Sequence, residues 1–202
     1  MKVIIPQDLN EITLGHMMQL ADIEKLEIEE IDKAKLVIKL LVDNVNDDNI
    51  DRIKVTDLLV MYQKLSVMTN TNTSLIKLMV LDGVKYGFNP DIQNISTGEF
   101  MDIDMLCKEM DKNLHQVMAI LYREVTTEGD GKYLIKEYDA KIEDRAKLFK
   151  EKMPASVAQS CLVFFYRLGK DYLRGTMESL KEEQKVKEVL ASVKGGAGIL
   201  SL

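Results

Sequence analysis

The sequence predicts an α+β fold that is predominantly helical, and three kinds of pattern support this prediction. Apolar residues recur at helical spacing along most of the 202-residue chain. The pairs Asp82-Gly83 and Asp130-Gly131 interrupt apolar runs in the manner of tight hairpin turns. Helix-start signals, such as Ser96 with Glu99 three residues later, separate the segments. We therefore expect a helical core, one or two β-hairpins that form a small antiparallel sheet, and a long C-terminal helix.

The composition limits the number of domains and the kinds of partner. With 202 residues and 46% hydrophobic content, the chain can bury roughly 70% of its unfolded surface, which is ample for one core. We expect a single globular domain over 1–175, an amphipathic helical arm over 176–194 and a flexible apolar tail over 195–202. A net charge of -6 argues against broad contact with nucleic acid or anionic lipid. No apolar run has the ~20 residues of a membrane span or the form of a signal peptide, so we expect a cytoplasmic protein.

Three helix starts share one arrangement, in which a hydroxyl N-cap follows an apolar residue and precedes another at N4. The three predicted N-caps are Thr13, Thr56 and Ser96. A further helix is expected over Glu30–Val42, because apolar residues there recur at near-helical spacing before a polar run. A short helix is expected over 49–53. The amino-terminal part of the chain should therefore be entirely helical.

Two hairpins are expected in the middle of the chain. Leu75–Leu81 and Val84–Phe88 flank Asp82-Gly83, and proline at position 90 ends the second strand. The segments Tyr122–Thr126 and Lys132–Tyr138 flank a second polar tip. Together they predict an antiparallel sheet of about four strands.

The remaining apolar stripes predict helices on both sides of the second hairpin. Two adjacent helices follow Ser96, one with a stripe at Ile103, Leu106, Cys107 and Met110, and the next with a stripe at Leu114, Val117, Met118 and Leu121. A charged helix over Ile142–Lys152 ends before Pro154, which should open the longest helix. Because Cys161–Tyr166 is apolar on every side, we expect this helix to run through the middle of the core.

The carboxy-terminal arm and tail are the predicted partner-binding segment. The arm has a narrow apolar stripe against a heavily charged back, and it stops at Gly195-Gly196, after which the chain is apolar again. An apolar tail after a flexible hinge favours docking onto another subunit. The candidate contact residues are Val186, Val189, Leu190, Val193, Ile199, Leu200 and Leu202.

No residue pattern predicts catalysis, a cofactor or a metal site. His16 and His115 lack partners at metal-ligand spacing and are expected to be structural, and Cys107 and Cys161 are expected to be buried thiols. Acidic residues at 99, 102 and 104 are interpreted as complements of a helix dipole. Most of the 12 methionines occupy stripe positions and should fill the core, with Met17-Met18 as expected surface contacts.

Several blocks of the sequence together resemble small helical proteins of tailed bacteriophages. These blocks are Asp8–Leu14, Tyr86–Pro90, Ser96–Phe100, Leu114–Arg123 and Phe164–Gly169. The resemblance is to proteins encoded among tail and virion morphogenesis genes, which include tail assembly chaperones and minor virion components. The resemblance implies that the protein is not an enzyme. It also implies that its partners are other phage structural proteins or a second copy of itself, and that it is located in the host cytoplasm during assembly or in the virion.

Four functions remain open from the sequence. The leading hypothesis is a non-enzymatic assembly factor or adaptor for virion and tail morphogenesis, and a close alternative is a minor structural component retained in the virion. A third is a cytosolic enzyme with a cleft near Cys161 and His115, which would require a pocket that brings together a histidine, an acid and a nucleophile. A fourth is a cytosolic regulatory adaptor, which mass spectrometry would not find in purified particles.

Overall fold

The structure is a computed structural model that describes residues 3–68, 74–168 and 170. The chain divides into two compact units, Met1–Cys161 and Leu162–Leu202. In the second unit, residues 162–168 and 170 are helical. The predicted boundaries after residues 175 and 194, the C-terminal arm and tail, and the predicted loop over 69–73 lie outside the described residues.

The first unit contains helices and a four-stranded sheet. In chain order its elements are α1 Leu14–Glu24, α2 Glu30–Leu41, α3 Val55–Val67, β1 Leu78–Leu81, β2 Val84–Phe88, α4 Thr97–Cys107, α5 Met110–Leu121, β3 Tyr122–Gly129, β4 Lys132–Ile135 and α6 Glu143–Lys152. Helical residues 155–161 follow as α7. Single 3-10 turns lie at Ile50–Arg52 and Ile92–Asn94.

The sheet confirms both predicted hairpins. Its strands are antiparallel in the order β1-β2-β3-β4, and neighbouring strands meet at the pairs Leu81↔Val84, Tyr86↔Glu124 and Gly129↔Lys132. Both residues of each tip have positive φ, with 50° and 81° at Asp82-Gly83 and 50° and 72° at Asp130-Gly131. Aspartate and glycine tolerate this backbone conformation, which a two-residue type I′ turn requires. The predominantly helical α+β fold predicted from the sequence is thus confirmed.

Two of the three predicted N-caps are confirmed, and the third is wrong. Thr13 and Ser96 each accept a hydrogen bond from the backbone N–H three residues later, and each closes a full capping box. The helix α3 begins at Val55, and its N-cap Lys54 makes no side-chain cap. After the 3-10 turn that buries Ile50, the helix therefore begins two residues earlier than an N-cap at Thr56 would place it.

The core of the first unit has two parts. One is apolar packing of α2 and α3 against the amino-terminal segment, with Ala34 and Ile38 fully buried. The other surrounds α5 and the start of β3. There Tyr122 is fully buried, its hydroxyl donates a 2.7 Å hydrogen bond to the Ile76 carbonyl, and its ring meets Phe88 edge to face at 5.4 Å. This second part supports the sheet and the helices beside it.

The burial of the two cysteines and of the last described helix differs from the prediction. Cys161 is buried as expected, but Cys107 is exposed because it lies at the end of α4, on the side that faces solvent. The segment Cys161–Tyr166 is not buried throughout, since Tyr166 is exposed. Met18 is buried instead of being a surface contact. Apolar character on every side of a helix therefore did not indicate burial along its whole length.

Candidate functional site

The sequence-predicted partner-binding residues lie outside the described part of the chain. This holds for Val186, Val189, Leu190, Val193, Ile199, Leu200 and Leu202 alike, so they stay predictions. Among the described residues, the strongest candidate for an interaction site is the helix α4. Sequence reasoning did not identify it.

Helix α4 presents three large apolar side chains to solvent, beside the exposed Asp104, and buries the charged Glu99 together with Leu106. Phe100, Met101 and Met105 are 59%, 63% and 60% exposed, and we call these three residues the α4 face. Glu99, one residue before Phe100, is only 5% exposed. A helix on a protein surface ordinarily buries its large apolar residues and exposes its charged ones. The exposure of the α4 face and the burial of Glu99 both depart from this arrangement.

A buried ion pair holds the inner side of α4 against the sheet. The Arg123 Nη2 of β3 lies 3.0 Å from the Glu99 Oε1, and the two side chains are 6% and 7% exposed. Asn89, at the end of β2, is also buried and donates from Nδ2 to the same Glu99 oxygen at 3.4 Å. Because a buried carboxylate is stable only when it is paired and hydrogen-bonded, these contacts fix which side of α4 faces inward.

A second polar contact lies one turn further along α4. The Tyr138 hydroxyl donates a hydrogen bond to the Asp102 carboxylate. Burial, together with the acceptor and the negative charge of Asp102, raises the pKa of Tyr138 well above its usual value, so the phenol remains a donor. The guanidinium carbon of Arg123 lies 5.9 Å from the centre of the Tyr138 ring. We call Asn89, Glu99, Asp102, Arg123 and Tyr138 the polar clamp.

Local sequence explains why the clamp turns the apolar residues outward. Glu99 is the third residue of α4, where its carboxylate also accepts from the Ser96 backbone N–H at 3.4 Å and so completes the capping box. Successive helical residues are separated by about 100° around the axis. With Glu99 facing inward, Leu106 lies on the same side and is buried, while Phe100, Met101 and Met105 are directed away from it.

An open cleft of about 390 Å³ lies beside the polar clamp. Its lining carries charges of both signs, from Asp91, Glu99 and Glu137 and from Arg123 and Lys136. The Arg123 Nε is buried without a hydrogen-bond partner. Because positive and negative groups both line the cleft, its electrostatics select neither an anion nor a cation.

The residues named for the enzyme alternative have structural surroundings. Burial raises the pKa of Cys161 to about 12, so its thiol remains protonated at neutral pH and is a poor nucleophile. Its neighbour Ser160 is also buried, and its hydroxyl donates to the Val157 carbonyl at 2.8 Å and accepts from the Ile76 N–H at 3.1 Å. Within the described ranges no group of three or more His, Cys, Asp or Glu residues could hold a metal ion.

Both histidines have a lowered pKa, and His16 also forms part of a helix cap. The Thr13 backbone N–H donates to the His16 Nδ1 at 3.3 Å, so the cap of α1 requires neutral imidazole. Burial lowers the pKa of His16 from its ordinary 6.5. Burial and then the nearby charge of Lys150 lower the pKa of His115. Both side chains are therefore neutral in the folded protein at neutral pH.

We expect the free energy of unfolding to decrease as the pH falls below about 6.5. The histidines then bind protons more readily in the unfolded chain than in the folded one, so the stability that is fully present above this pH is progressively lost. Urea unfolding at about pH 7.5 and about pH 5.5 measures the difference. The double variant His16→Gln/His115→Gln should show a smaller decrease, because glutamine keeps the cap acceptor without titrating. An identical decrease in both proteins would contradict this assignment.

Comparison with protein-family models, with curated proteins and with solved structures finds no match to this chain. Within the described residues, no helix is both long enough and apolar enough to span a bilayer. The functional interpretation therefore depends on the geometry of α4 and on the sequence.

Proposed function

We propose that this protein is a non-enzymatic assembly protein of a tailed bacteriophage that acts through protein–protein contacts. In this proposal the α4 face binds another phage structural protein during virion or tail morphogenesis in the host cytoplasm. One observation carries the proposal: a buried ion pair holds in place a helix that exposes three large apolar residues. The sequence resemblance supplies the phage context.

The chemistry of the α4 face suits the centre of a protein interface. Aromatic residues and methionine are enriched at interface cores, and methionine adapts to the shape of its partner. Full burial of each such side chain contributes about 1.5–3 kcal/mol. Because these residues are 59–63% exposed in the free protein, rather more than half of this contribution remains to be gained when a partner covers them. Association loses translational and rotational entropy, and this cost offsets much of the free energy gained by burying three residues. The α4 face therefore supports a reversible contact. A reversible contact is what an assembly factor requires.

The C-terminal arm and tail remain a predicted second contact in this proposal. The seven apolar positions identified from the sequence, between Val186 and Leu202, would be a further contact with a partner subunit, in addition to the α4 face. Deleting residues 195–202 should weaken co-purification without affecting folding, and unchanged co-purification would exclude a role for the tail.

The double variant Phe100→Ser/Met105→Ser tests the proposal most simply. We expect at least about a ten-fold loss of partner co-purification from phage-producing cells, because the apolar contact area is removed. Both positions are exposed, so the unfolding midpoint should change little. Val67→Ser is a matched control, since Val67 is 69% exposed but lies on α3.

The outcomes separate the parts of the proposal. Equal capture by the α4 variant and the wild type would show that the α4 face is not the interface. Capture of host proteins alone, identified by mass spectrometry, would contradict the phage role while leaving the surface assignment intact. Mass spectrometry of purified particles distinguishes an assembly factor, which should be missing, from the alternative of a minor component retained in the virion.

A further inference from the structure

Helices α1, α2 and α3 surround an apolar cavity of about 250 Å³ that is unrelated to the α4 face. Its walls are formed mainly by Met17, Leu20, Val37, Leu41, Leu65 and Met68. On the α2 side the wall is part of the core, because Val37 and Leu41 are buried. The cavity exists because α2 packs against both α1 and α3 and leaves space among the three helices.

The size of the cavity limits what it can hold. A dry cavity of roughly 150 Å³ lined by aliphatic side chains is large enough for benzene. By that comparison, a cavity of about 250 Å³ admits an apolar body of roughly eight to ten heavy atoms. Met17 and Met68, whose unbranched side chains repack easily, lie on the wall and allow some variation in shape.

The polar groups at the cavity determine the charge of a suitable ligand. The lining includes Glu24, Tyr62 and Ser66. The charged residue of this lining is Glu24, and Lys33, whose Nζ lies 4.0 Å from the Glu24 carboxylate, is not part of the lining. Burial, followed by the negative charges of Glu24 and Glu30, raises the pKa of Tyr62. A ligand carboxylate would be repelled there, whereas a ligand cation would be attracted.

We propose that this cavity binds a small cationic amphiphile, with an aliphatic or aromatic body inside the cavity and an ammonium group beside Glu24. The site is separate from the interface on α4, and neither proposal depends on the other. Occupation would stabilise the helical half of the first unit, because a ligand that binds only the folded state shifts the folding equilibrium.

Three probes with the same chain length test the proposal on the full-length protein. These are n-octylamine, 1-octanol and octanoate, each added at neutral pH to protein with ¹³C-labelled methionine methyl groups. We expect octylamine to bind at least about ten-fold more tightly than octanoate, with octanol between them. The Met17 and Met68 methyl signals should shift, whereas those of exposed Met105 and of buried Met153 should not.

Matched variants distinguish the cavity from nonspecific adsorption. Ala21 lies on the lining and is exposed, so Ala21→Phe places a ring at the opening and should weaken octylamine binding by at least about ten-fold. Asp22→Phe adds the same ring to the next residue of α1, whose side chain is 69% exposed, and should leave binding unchanged. Glu24→Gln should reduce the preference for octylamine over octanoate.

Each other result would overturn the proposal. Equal binding of the three probes would contradict a cationic site. Absence of Met17 and Met68 shifts, or shifts that include Met105, would place the probes elsewhere on the protein. If no probe binds but Ala21→Phe abolishes capture of a protein partner, the occupant is a side chain of that partner and not a small molecule. Thermal unfolding of both phenylalanine variants verifies that the comparison is made between folded proteins.

Discussion

Replacing Arg123 with methionine should lower the free energy of unfolding by about 3–5 kcal/mol. The substitution leaves the Glu99 carboxylate buried without its guanidinium partner, which lies 3.0 Å away in the wild type. An unpaired buried charge costs far more than the loss of an exposed ion pair. Urea unfolding of the variant and the wild type, with the denaturant dependence checked for each, measures the difference.

Two further variants separate the ion pair from the helix cap. Ser96→Ala removes the hydroxyl that accepts from the Glu99 N–H at 3.2 Å and should cost only about 1 kcal/mol. The double variant Arg123→Met/Glu99→Leu removes both charges and should be more stable than Arg123→Met alone, because no charge remains buried. A loss below about 1 kcal/mol for Arg123→Met, or a double variant that is less stable than the single one, would contradict the importance of the clamp.

Replacing Gly15 with alanine should destabilise the protein by about 1–3 kcal/mol, although alanine is the better helix former. A Cβ atom on Gly15 would lie 2.5 Å from the Lys150 carbonyl oxygen of α6. The two helices cannot separate freely here, because the Leu14 N–H donates to the Met153 carbonyl at 2.7 Å and the Ala155 N–H donates to the Ile12 carbonyl at 2.8 Å. The urea midpoint is again the measurement.

Gly98 provides a closely matched control for Gly15. Both glycines are the second residue of a helix that begins with a capping box. A Cβ atom on Gly98 would have no neighbour within 4 Å, so Gly98→Ala should stabilise the protein by about 0.5 kcal/mol. Opposite signs at the two positions are expected. Stabilisation at both would show that α1 and α6 adjust without cost.

The elements that could be predicted from the sequence are those that depend on neighbouring residues. Asp82-Gly83 and Asp130-Gly131 identify their turns because positive φ at two successive positions restricts the residue types. The cap at Ser96 is equally local, since its partner Glu99 is three residues away. The N-cap predicted at Thr56 is wrong because its flanking apolar residues, Val55 and Val60, are both exposed, so no packed staple selects this position and α3 begins at Val55.

The orientation of α4 could not be predicted because it depends on contacts between residues that are distant in sequence. Glu99 is paired with Arg123 in β3, and Asp102 accepts from Tyr138 beyond β4. The apolar spacing alone predicted an inward stripe that included Cys107, which is exposed. The available signal was the interleaving of Phe100, Met101 and Met105 with the acidic residues at 99, 102 and 104. Interpreting this signal required the partners of Glu99 and Asp102, which lie far along the chain.

Photo-crosslinking at position 101 tests most directly whether the α4 face is an interaction surface. The photoreactive residue p-benzoylphenylalanine replaces Met101, which is 63% exposed, in cells that produce the phage, and replaces exposed Lys132 in the control. We expect irradiation to join the position-101 protein, and not the control, to one discrete phage structural protein. Adducts at position 132 alone, or no adduct at position 101 while the chain co-purifies with a partner, would contradict binding through α4.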